Sequence, residues 1–376
     1  MPIAREVRSF LSFTVICIVS CGEAGCTATS PASEPAVSQS SRVGGAGACA
    51  YYGGNGPSVY GGQSGLTESY ASMVDGARLG ALRLNFRLDG QSSWNDALLG
   101  QYDAYVGVAR EHGYDVLGLV ANEAVPGDQT AWNGDYDATG YSPYVQQFVD
   151  VVGMLMRRYG GTIKNWELWN EPNAWSNPSY ADDPAHAGGT YILPQVYAKM
   201  LAETSLQNAD TMGAQGLHLV TGGLFAHDIG GSFSPATDYF EQVLSQGVWD
   251  WMQANTGRRY PWDGAGYHLY IDQSGSTSSD HLMQYVDAIQ SLKVQYGDYT
   301  PLWITEFGWQ TWNVPEDVQA ANIDVALQTF ESRGDVARTF VFKVDDYDSW
   351  GIFHDYGGPK PAISVFQTHT ATCASQ

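Results

Sequence analysis

Short apolar runs alternate with longer amphipathic segments from about Ala48 to the end of the chain. The runs typical of strands lie at 49–52, 81–86, 116–121, 165–169, 217–224, 264–270, 302–306 and 339–344. The segments with helical periodicity lie near 66–79, 97–112, 143–159, 194–213, 238–254, 280–296 and 315–333, and a short closing segment falls near 361–367. Strands that each precede a helix predict an α/β protein with a parallel sheet.

The alternation continues for about 320 residues without a linker, which favours a (β/α)₈ TIM barrel as a single domain over residues 48–376. An open doubly wound sheet is the alternative architecture. It is disfavoured because the turn after the first strand, Tyr52-Gly-Gly-Asn-Gly-Pro, lacks the full glycine fingerprint of a nucleotide-binding loop.

The N-terminus has the pattern of an export signal over residues 1–20. Arg5 and Arg8 precede the apolar stretch 11–20, which is too short to cross a bilayer. The sequence Ile18-Val19-Ser20-Cys21 resembles a bacterial lipobox, so we expect Cys21 to be lipidated and the protein to be a cell-surface lipoprotein. An ordinary secretory signal cleaved nearby is the alternative. Residues 21–47 are rich in Ser, Ala, Pro and Gly and are predicted to form a linker.

Cys49 and Cys373 lie near the two ends of the predicted barrel. In an exported protein such a pair predicts a disulfide bond. Two alternatives stay open, namely a bond between Cys26 and Cys373 and a free thiol at Cys373.

The net charge of −22 excludes a general affinity for nucleic acid or anionic headgroups, which require clustered Lys and Arg. A neutral substrate fits better, although the acidic charge also serves solubility. The chain has 12 Trp and 23 Tyr, and we expect some of them to be exposed.

Neither His227-Asp228 nor His354-Asp355 has the spacing of a metal site, so no metal or cofactor is expected. The expected state is a monomer.

Two predicted strands end in a glutamate among aromatic residues. These segments are Asn165-Trp-Glu-Leu-Trp-Asn-Glu-Pro-Asn173 and Leu302-Trp-Ile-Thr-Glu-Phe-Gly-Trp309. In a (β/α)₈ barrel the reactive groups lie at the carboxyl ends of the strands. Glu171 and Glu306 are therefore the candidate catalytic pair, in surroundings that raise the pKa of a proton donor.

Asn170-Glu171-Pro172 resembles the acid/base motif of the clan A glycoside hydrolases, and Thr305-Glu306-Phe307-Gly308 resembles their nucleophile motif. The two motifs fall on the fourth and seventh predicted strands, as the clan requires. The longer motif around Glu171 is similar to families 5 and 39. The resemblance implies a retaining mechanism with two carboxyls about 5–5.5 Å apart, in which Glu306 attacks the sugar and Glu171 is acid and then base.

The resemblance also implies roles for several neighbours. Asn170 would bind the sugar 2-hydroxyl, and the His-x-Tyr pattern would place His268 and Tyr270 in the site, with Tyr270 bonded to Glu306. Arg83 in the second strand would pair with Glu306, and Arg87 is the competing candidate. Trp350 would form the aromatic platform beneath the sugar.

Further candidates for substrate contact are Asn122 and Glu123 after the third strand, together with Trp175 and Trp309 on predicted catalytic-face loops. The function that these residues predict is hydrolysis of a β-linked neutral polysaccharide or oligosaccharide, with endo action favoured by the many loop aromatics. The alternatives are an exo-acting β-glycosidase, a transglycosylase and a non-catalytic carbohydrate-binding protein.

Overall fold

The computed structural model describes residues 49–127, 131–174, 190–355 and 357–373. The predicted signal at 1–20, Cys21, the linker at 21–47 and Trp175 lie outside the described residues. The side chain of Cys373 also lies outside them. Cys49 is buried and disulfide-bonded, and its pairing with Cys373 stays a prediction.

Eight strands form the centre of the molecule, and each overlaps a run that the apolar pattern predicts. They are β1 (Cys49–Asn55), β2 (Leu79–Phe86), β3 (Asp115–Val120), β4 (Asn165–Asn170), β5 (His218–His227), β6 (Gly264–Tyr270), β7 (Leu302–Phe307) and β8 (Val336–Val341). The largest difference is at β8, which begins and ends three residues before the predicted 339–344.

The helices surround the strands. They are α1 (Glu68–Gly76), α2 (Asp96–Glu111), α3 (Pro143–Tyr159), α4 (Pro194–Gln207), α5 (Ala209–Gln215), α6 (Thr237–Leu244), α7 (Val248–Thr256), α8 (Ser279–Gln295), α9 (Glu316–Glu331) and α10 (Ala362–Cys373).

Two predicted helices are each divided in two. The segment 194–213 is interrupted at Asn208, whose side-chain amide donates to the carbonyl of Thr204 at 3.0 Å. Asn side chains compete in this way with the helical backbone bonds. The segment 238–254 is interrupted at 245–247, before the next helix begins at Val248.

The strands close into a barrel in the order β1 to β8, with every neighbour parallel and β1 paired with β8. This confirms the (β/α)₈ prediction and excludes the open sheet. Parallel pairing brings the carboxyl ends of all strands to one face of the barrel. Glu171 directly follows β4, and Glu306 lies within β7 near its end.

The interior of the barrel has an apolar lower layer. Ala81, Leu117, Val220, Trp303 and Phe340 form a buried cluster made of strand residues alone, separate from the larger core that joins the strands to the helices. This layer closes the bottom of the barrel, as expected for a filled interior. No helix among the described residues is long and apolar enough to cross a membrane.

Candidate active site

The two glutamates meet at the mouth of the barrel. Each of Glu171, His268 and Glu306 offers a side-chain atom, and these three atoms lie within 4.8 Å of one another. Glu306 is buried, at 7% exposure, whereas 22% of the Glu171 side chain is exposed. An upper limit of 4.8 Å between these atoms is compatible with the ~5–5.5 Å between the two carboxyls of a retaining glycosidase, and it is shorter than the ~6.5–9.5 Å of an inverting one.

The backbone at the end of β4 is strained where it presents Glu171. Trp169 has a φ of 81° and Glu171 a φ of 46°, a region that non-glycine residues rarely adopt. Two interactions fix this conformation: the Glu171 N–H donates to the Gly223 carbonyl at 3.1 Å, and the Trp169 indole donates to the Thr190 carbonyl at 2.7 Å. The strained conformation is therefore stabilised by contacts of the end of β4 with β5 and with Thr190, in the loop before α4.

Arg83 lies at the centre of the polar network inside the barrel mouth. Its Nη1 is 2.5 Å from Glu306 Oε1, and its Nε is 2.5 Å from Glu167 Oε2. Its Nη1 also donates to Asn55 Oδ1 at 2.9 Å and its Nη2 to Asn170 Oδ1 at 2.8 Å. A buried guanidinium needs such partners, and here it holds both Glu306 and Asn170 in place.

Arg87, the competing candidate, does not form the ion pair with Glu306. Its Nη2 is instead 3.3 Å from Glu123 Oε1 at the rim. The structure thus assigns the contact with Glu306 to Arg83. Because Arg83 occupies the amide oxygen of Asn170, the amide N–H₂ of Asn170 is the group left to donate to a substrate.

Sequence reasoning did not single out Glu167 or Asn55. Glu167 is fully buried, and its Oε1 accepts from the Gly223 N–H and the Thr305 hydroxyl, both at 2.9 Å. Asn55 ends β1, and its amide donates to the Thr305 carbonyl at 3.1 Å. The sequence could have pointed to Glu167, because a charged residue within an apolar strand predicts a buried partner of opposite charge.

His268 and Tyr270 lie on the same side of β6. His268 Nδ1 is 2.9 Å from Glu171 Oε1 and 3.6 Å from Glu306 Oε2. The Tyr270 hydroxyl donates to Glu306 Oε2 at 2.5 Å, which is the contact that the His-x-Tyr pattern predicts. Gly223 makes room for the imidazole, since a Cβ there would overlap His268 Nε2 and lie 2.7 Å from Thr305 Oγ1.

The electrostatics of the site favour an ionised Glu306. Burial alone would raise its pKa, but the charges of His268 and Arg83 and the hydrogen bonds from Tyr270 and Arg83 outweigh this and lower the pKa. Burial, followed by the charges of Glu306 and Glu171, raises the pKa of Tyr270 well above its ordinary value. Tyr270 therefore remains a hydroxyl donor across the physiological range.

The aromatic candidates differ in their positions. Trp350 is partly exposed and packs edge-on against Tyr270, the hydrogen-bond partner of Glu306, with ring centroids 5.1 Å apart. Trp309, in contrast, is fully buried and donates to the Ile271 carbonyl at 3.1 Å. The prediction that Trp309 lines a subsite is therefore wrong, because its ring packs in the core beneath the loops.

Asn122 and Glu123 lie in a short 3₁₀ turn directly after β3, partly exposed at the rim of the mouth. Glu123 Oε2 accepts from the Asn85 amide at 2.6 Å, and Asn85 lies two residues beyond Arg83 on β2. Both candidates thus lie at the rim of the barrel mouth, and Glu123 is linked through Asn85 to the strand that carries Arg83.

Two groups of side chains within the described ranges have a spacing that could hold a metal ion. In Glu171, His268 and Glu306, both oxygens of Glu306 are already bonded, to Arg83 and to Tyr270. The positive guanidinium also opposes a second cation there. The other group is Asp228, Asp272 and His281, where Asp272 Oδ2 is 2.9 Å from His281 Nδ1.

Comparison with known proteins supports the resemblance that the motifs indicate. Residues 233–365, which include β6 to β8 and Glu306, match the family model described as glycosyl hydrolase catalytic core. No curated protein matches the chain by sequence.

Solved structures of similar fold include several carbohydrate-active enzymes. A GH5-4 broad-specificity endoglucanase from Clostridium acetobutylicum aligns at a TM-score of 0.59 and 14% identity, over 85% of this chain and 97% of that one. A glucosidase from Croceicoccus marinus aligns at 0.58 and 15% identity, over 85% of this chain and 66% of that one.

A GH5_18 enzyme from Streptomyces cattleya, solved in complex with Manb1-4GlcNAc, aligns at 0.55 and 14% identity, over 85% of this chain and 80% of that one. At these identities the likeness shows the shared barrel fold. Together with the family match, it agrees with the resemblance to clan A glycoside hydrolases and supports glycan hydrolysis as the activity.

Proposed function

We propose that the protein is a clan A retaining glycoside hydrolase that cleaves a β-linked neutral polysaccharide or oligosaccharide by double displacement. The observation that carries the proposal is the pairing of Glu171 with Glu306 within 4.8 Å, with Glu306 held as an anion by Arg83 and Tyr270. This is the arrangement that retention of anomeric configuration requires.

In the first step the Glu306 carboxylate attacks the anomeric carbon while Glu171 protonates the departing glycosidic oxygen. The bond from carbon to the leaving oxygen breaks, and a covalent glycosyl-enzyme forms. In the second step Glu171, now a carboxylate, removes a proton from water, whose oxygen displaces Glu306 from the anomeric carbon. The Asn170 amide donates to the sugar 2-hydroxyl, a contact that strengthens in the transition state.

We propose that the enzyme acts outside the cell, because residues 1–20 have the pattern of an export signal, and that it is attached through a lipidated Cys21. Endo action is favoured by exposed aromatic rings on catalytic-face loops. Tyr60, after β1, is 72% exposed and Trp312, after β7, is 68% exposed. Such rings give a long glycan chain flat surfaces on which to stack outside the reacting subsite.

The roles of the two glutamates are tested with separate variants. Glu306→Gln is expected to abolish turnover of every β-glycoside tested. Glu171→Ala is expected to retain turnover of substrates with very good leaving groups, such as 2,4-dinitrophenyl glycosides, and to be partly rescued by azide. Glu111→Gln is a matched control, because the carboxyl end of α2 lies on the opposite face of the barrel from the site.

The stereochemistry is tested independently by proton NMR of the first-formed anomer. Retention is expected, and an inverted product would rule out double displacement. Sizing of the products from a neutral β-glucan, xylan and mannan distinguishes endo from exo action and reveals any products of transglycosylation. Appreciable activity of Glu306→Gln would mean that another residue is the nucleophile.

A further inference from the structure

A cavity of about 750 Å³ lies on the face of the barrel that carries Glu171 and Glu306, at the carboxyl ends of β2 and β3. It is bounded by the loops that follow β2 and β3. Its lining includes Arg87, Leu88, Asp89, Gln91, Glu123 and Gln147. A concave site of this size with a few convergent polar groups is typical of ligand binding.

The cavity is connected to the polar network around Glu306 through side chains of β2. Arg83 contacts Glu306, and Asn85 projects to the same side of the strand because successive side chains alternate. Asn85 lies ~7 Å further along the strand, and its amide donates to Glu123 in the wall of the cavity at 2.6 Å. A sugar chain that leaves the reacting subsite over β2 would therefore meet Glu123 next.

The polar groups of the cavity are not saturated. Arg87 and Glu123 form only a 3.3 Å ion pair, with 31% and 38% of their side chains exposed. The buried side-chain atoms that lack a hydrogen-bond partner among the described residues include Arg87 Nε, in the cavity lining, and Asn85 Oδ1, next to Glu123. A buried unpaired donor and acceptor cost free energy unless a ligand or water completes them. Sugar hydroxyls can do so, since each one both donates and accepts.

The charge of the cavity distinguishes between classes of sugar. Arg87 contributes one positive charge, whereas Asp89 and Glu123 contribute two negative charges. The net negative charge disfavours a uronic acid carboxylate and suits an uncharged ring.

We propose that the cavity is a second sugar-binding subsite, in which Arg87 and Glu123 together bind the hydroxyls of an uncharged sugar unit adjacent to the one being cleaved. The inference rests on the proposed function and extends it. It predicts that the preferred substrate is an oligosaccharide and that Arg87 and Glu123 determine which sugar unit the enzyme accepts next to the cleaved one. Arg87 and Glu123 act on binding and specificity, not on the bond-breaking step.

The test compares Arg87→Gln and Glu123→Gln with the control Arg110→Gln, whose arginine lies in the last turn of α2 on the opposite face. Each protein is assayed on aryl β-monoglycosides and on neutral β-linked oligosaccharides of two to six units. The ratio of kcat/KM for the oligosaccharide to that for the monoglycoside is expected to fall about 10–100-fold in both cavity variants and to stay at the wild-type value in the control. An unchanged ratio in the cavity variants would overturn the proposal.

A binding measurement separates the failure of this inference from failure of the proposed function. Calorimetry of the Glu306→Gln protein with the same neutral oligosaccharides is expected to show an affinity that Arg87→Gln lowers about 10–100-fold. Binding of this kind without any wild-type turnover would refute the proposed hydrolysis and leave the subsite standing. Equal affinity with and without Arg87, or tighter binding of glucuronate-substituted oligosaccharides, would overturn the subsite.

Discussion

Glu167→Gln is expected to lower the stability of the fold and to change the pKa of Glu306, although Glu167 is fully buried and does not contact substrate. Its carboxylate is fully buried and accepts from three donors: Arg83 Nε, the Gly223 N–H and the Thr305 hydroxyl. A glutamine has the same shape but one acceptor oxygen, so its N–H₂ must face a donor. One buried donor is then left unpaired, and Arg83 loses one of its two carboxylates.

The loss of a charged hydrogen bond with a donor left buried costs about 2–3 kcal/mol, below the 3–5 kcal/mol for breaking an entire buried ion pair because Glu306 still neutralises Arg83. For a barrel of this length that is a fall in Tm of about 3–5 °C. Removing the negative charge also removes a repulsion on Glu306. The pKa of Glu306, which the site already lowers, should fall further, and the acid limb of the pH–activity profile should move to lower pH.

The measurements are thermal unfolding and kcat/KM between pH 3 and 8. Glu203→Gln is a matched control, because Glu203 pairs with Lys199 one helical turn away on α4 and should cost under about 1 kcal/mol. A Glu167→Gln protein with wild-type Tm and an unmoved acid limb would refute the network as we describe it. A limb that moves to higher pH would mean that Glu167 does not act on Glu306 through its charge.

Three further predictions follow from contacts in the described residues. Tyr270→Phe removes the 2.5 Å bond to Glu306, so kcat/KM should fall about 10–100-fold and the acid limb should move to higher pH; an unmoved limb would contradict this. Trp350→Ala should raise KM about tenfold, with a smaller change in kcat, if its ring is the sugar platform; steady-state kinetics decide. His369 lies between two carboxylates of α9, whose hydrogen bonds raise its pKa, so its stabilisation is complete below pH ~6.5 and is lost as pH rises through the raised pKa. His369→Ala should therefore lower the free energy of unfolding by about 1–2 kcal/mol at pH 5 and by less at pH 9, and equal losses at both pH values would contradict it.

Much of the fold could be predicted because apolar periodicity records which side of a strand or helix is buried. The glutamates could be placed for a related reason: a parallel barrel puts every strand end on one face, so the strand count alone brings Glu171 and Glu306 to the same mouth. The positions at which helices are interrupted were harder to predict from the sequence. The interruption at Asn208 depends on one side chain competing for a backbone carbonyl, and no change of periodicity marks it.

The network around Glu306 could not be predicted in full, because strand irregularities change which side chains face inward. Regular alternation would send Thr305 and Glu306 to opposite sides of β7. The register of β7 against β8 shifts between Ile304 and Phe307, and both side chains reach the polar network, Thr305 at Glu167 and Glu306 at Arg83. A one-residue shift of this kind leaves no signature in the apolar pattern.

The same network gives the two glutamates unequal surroundings, which match the unequal roles that we propose for them. Both oxygens of Glu306 are held, one by Arg83 and one by Tyr270, and the residue is buried, so it is fixed in position and charge. A nucleophile that must approach one carbon atom gains from such fixation. Glu171 is more exposed, and its Oε1 shares His268 Nδ1 with Glu306 Oε2. A group that gives a proton to one oxygen and takes it from another must stay in contact with both the leaving group and water, and the less enclosed carboxyl is the one that can.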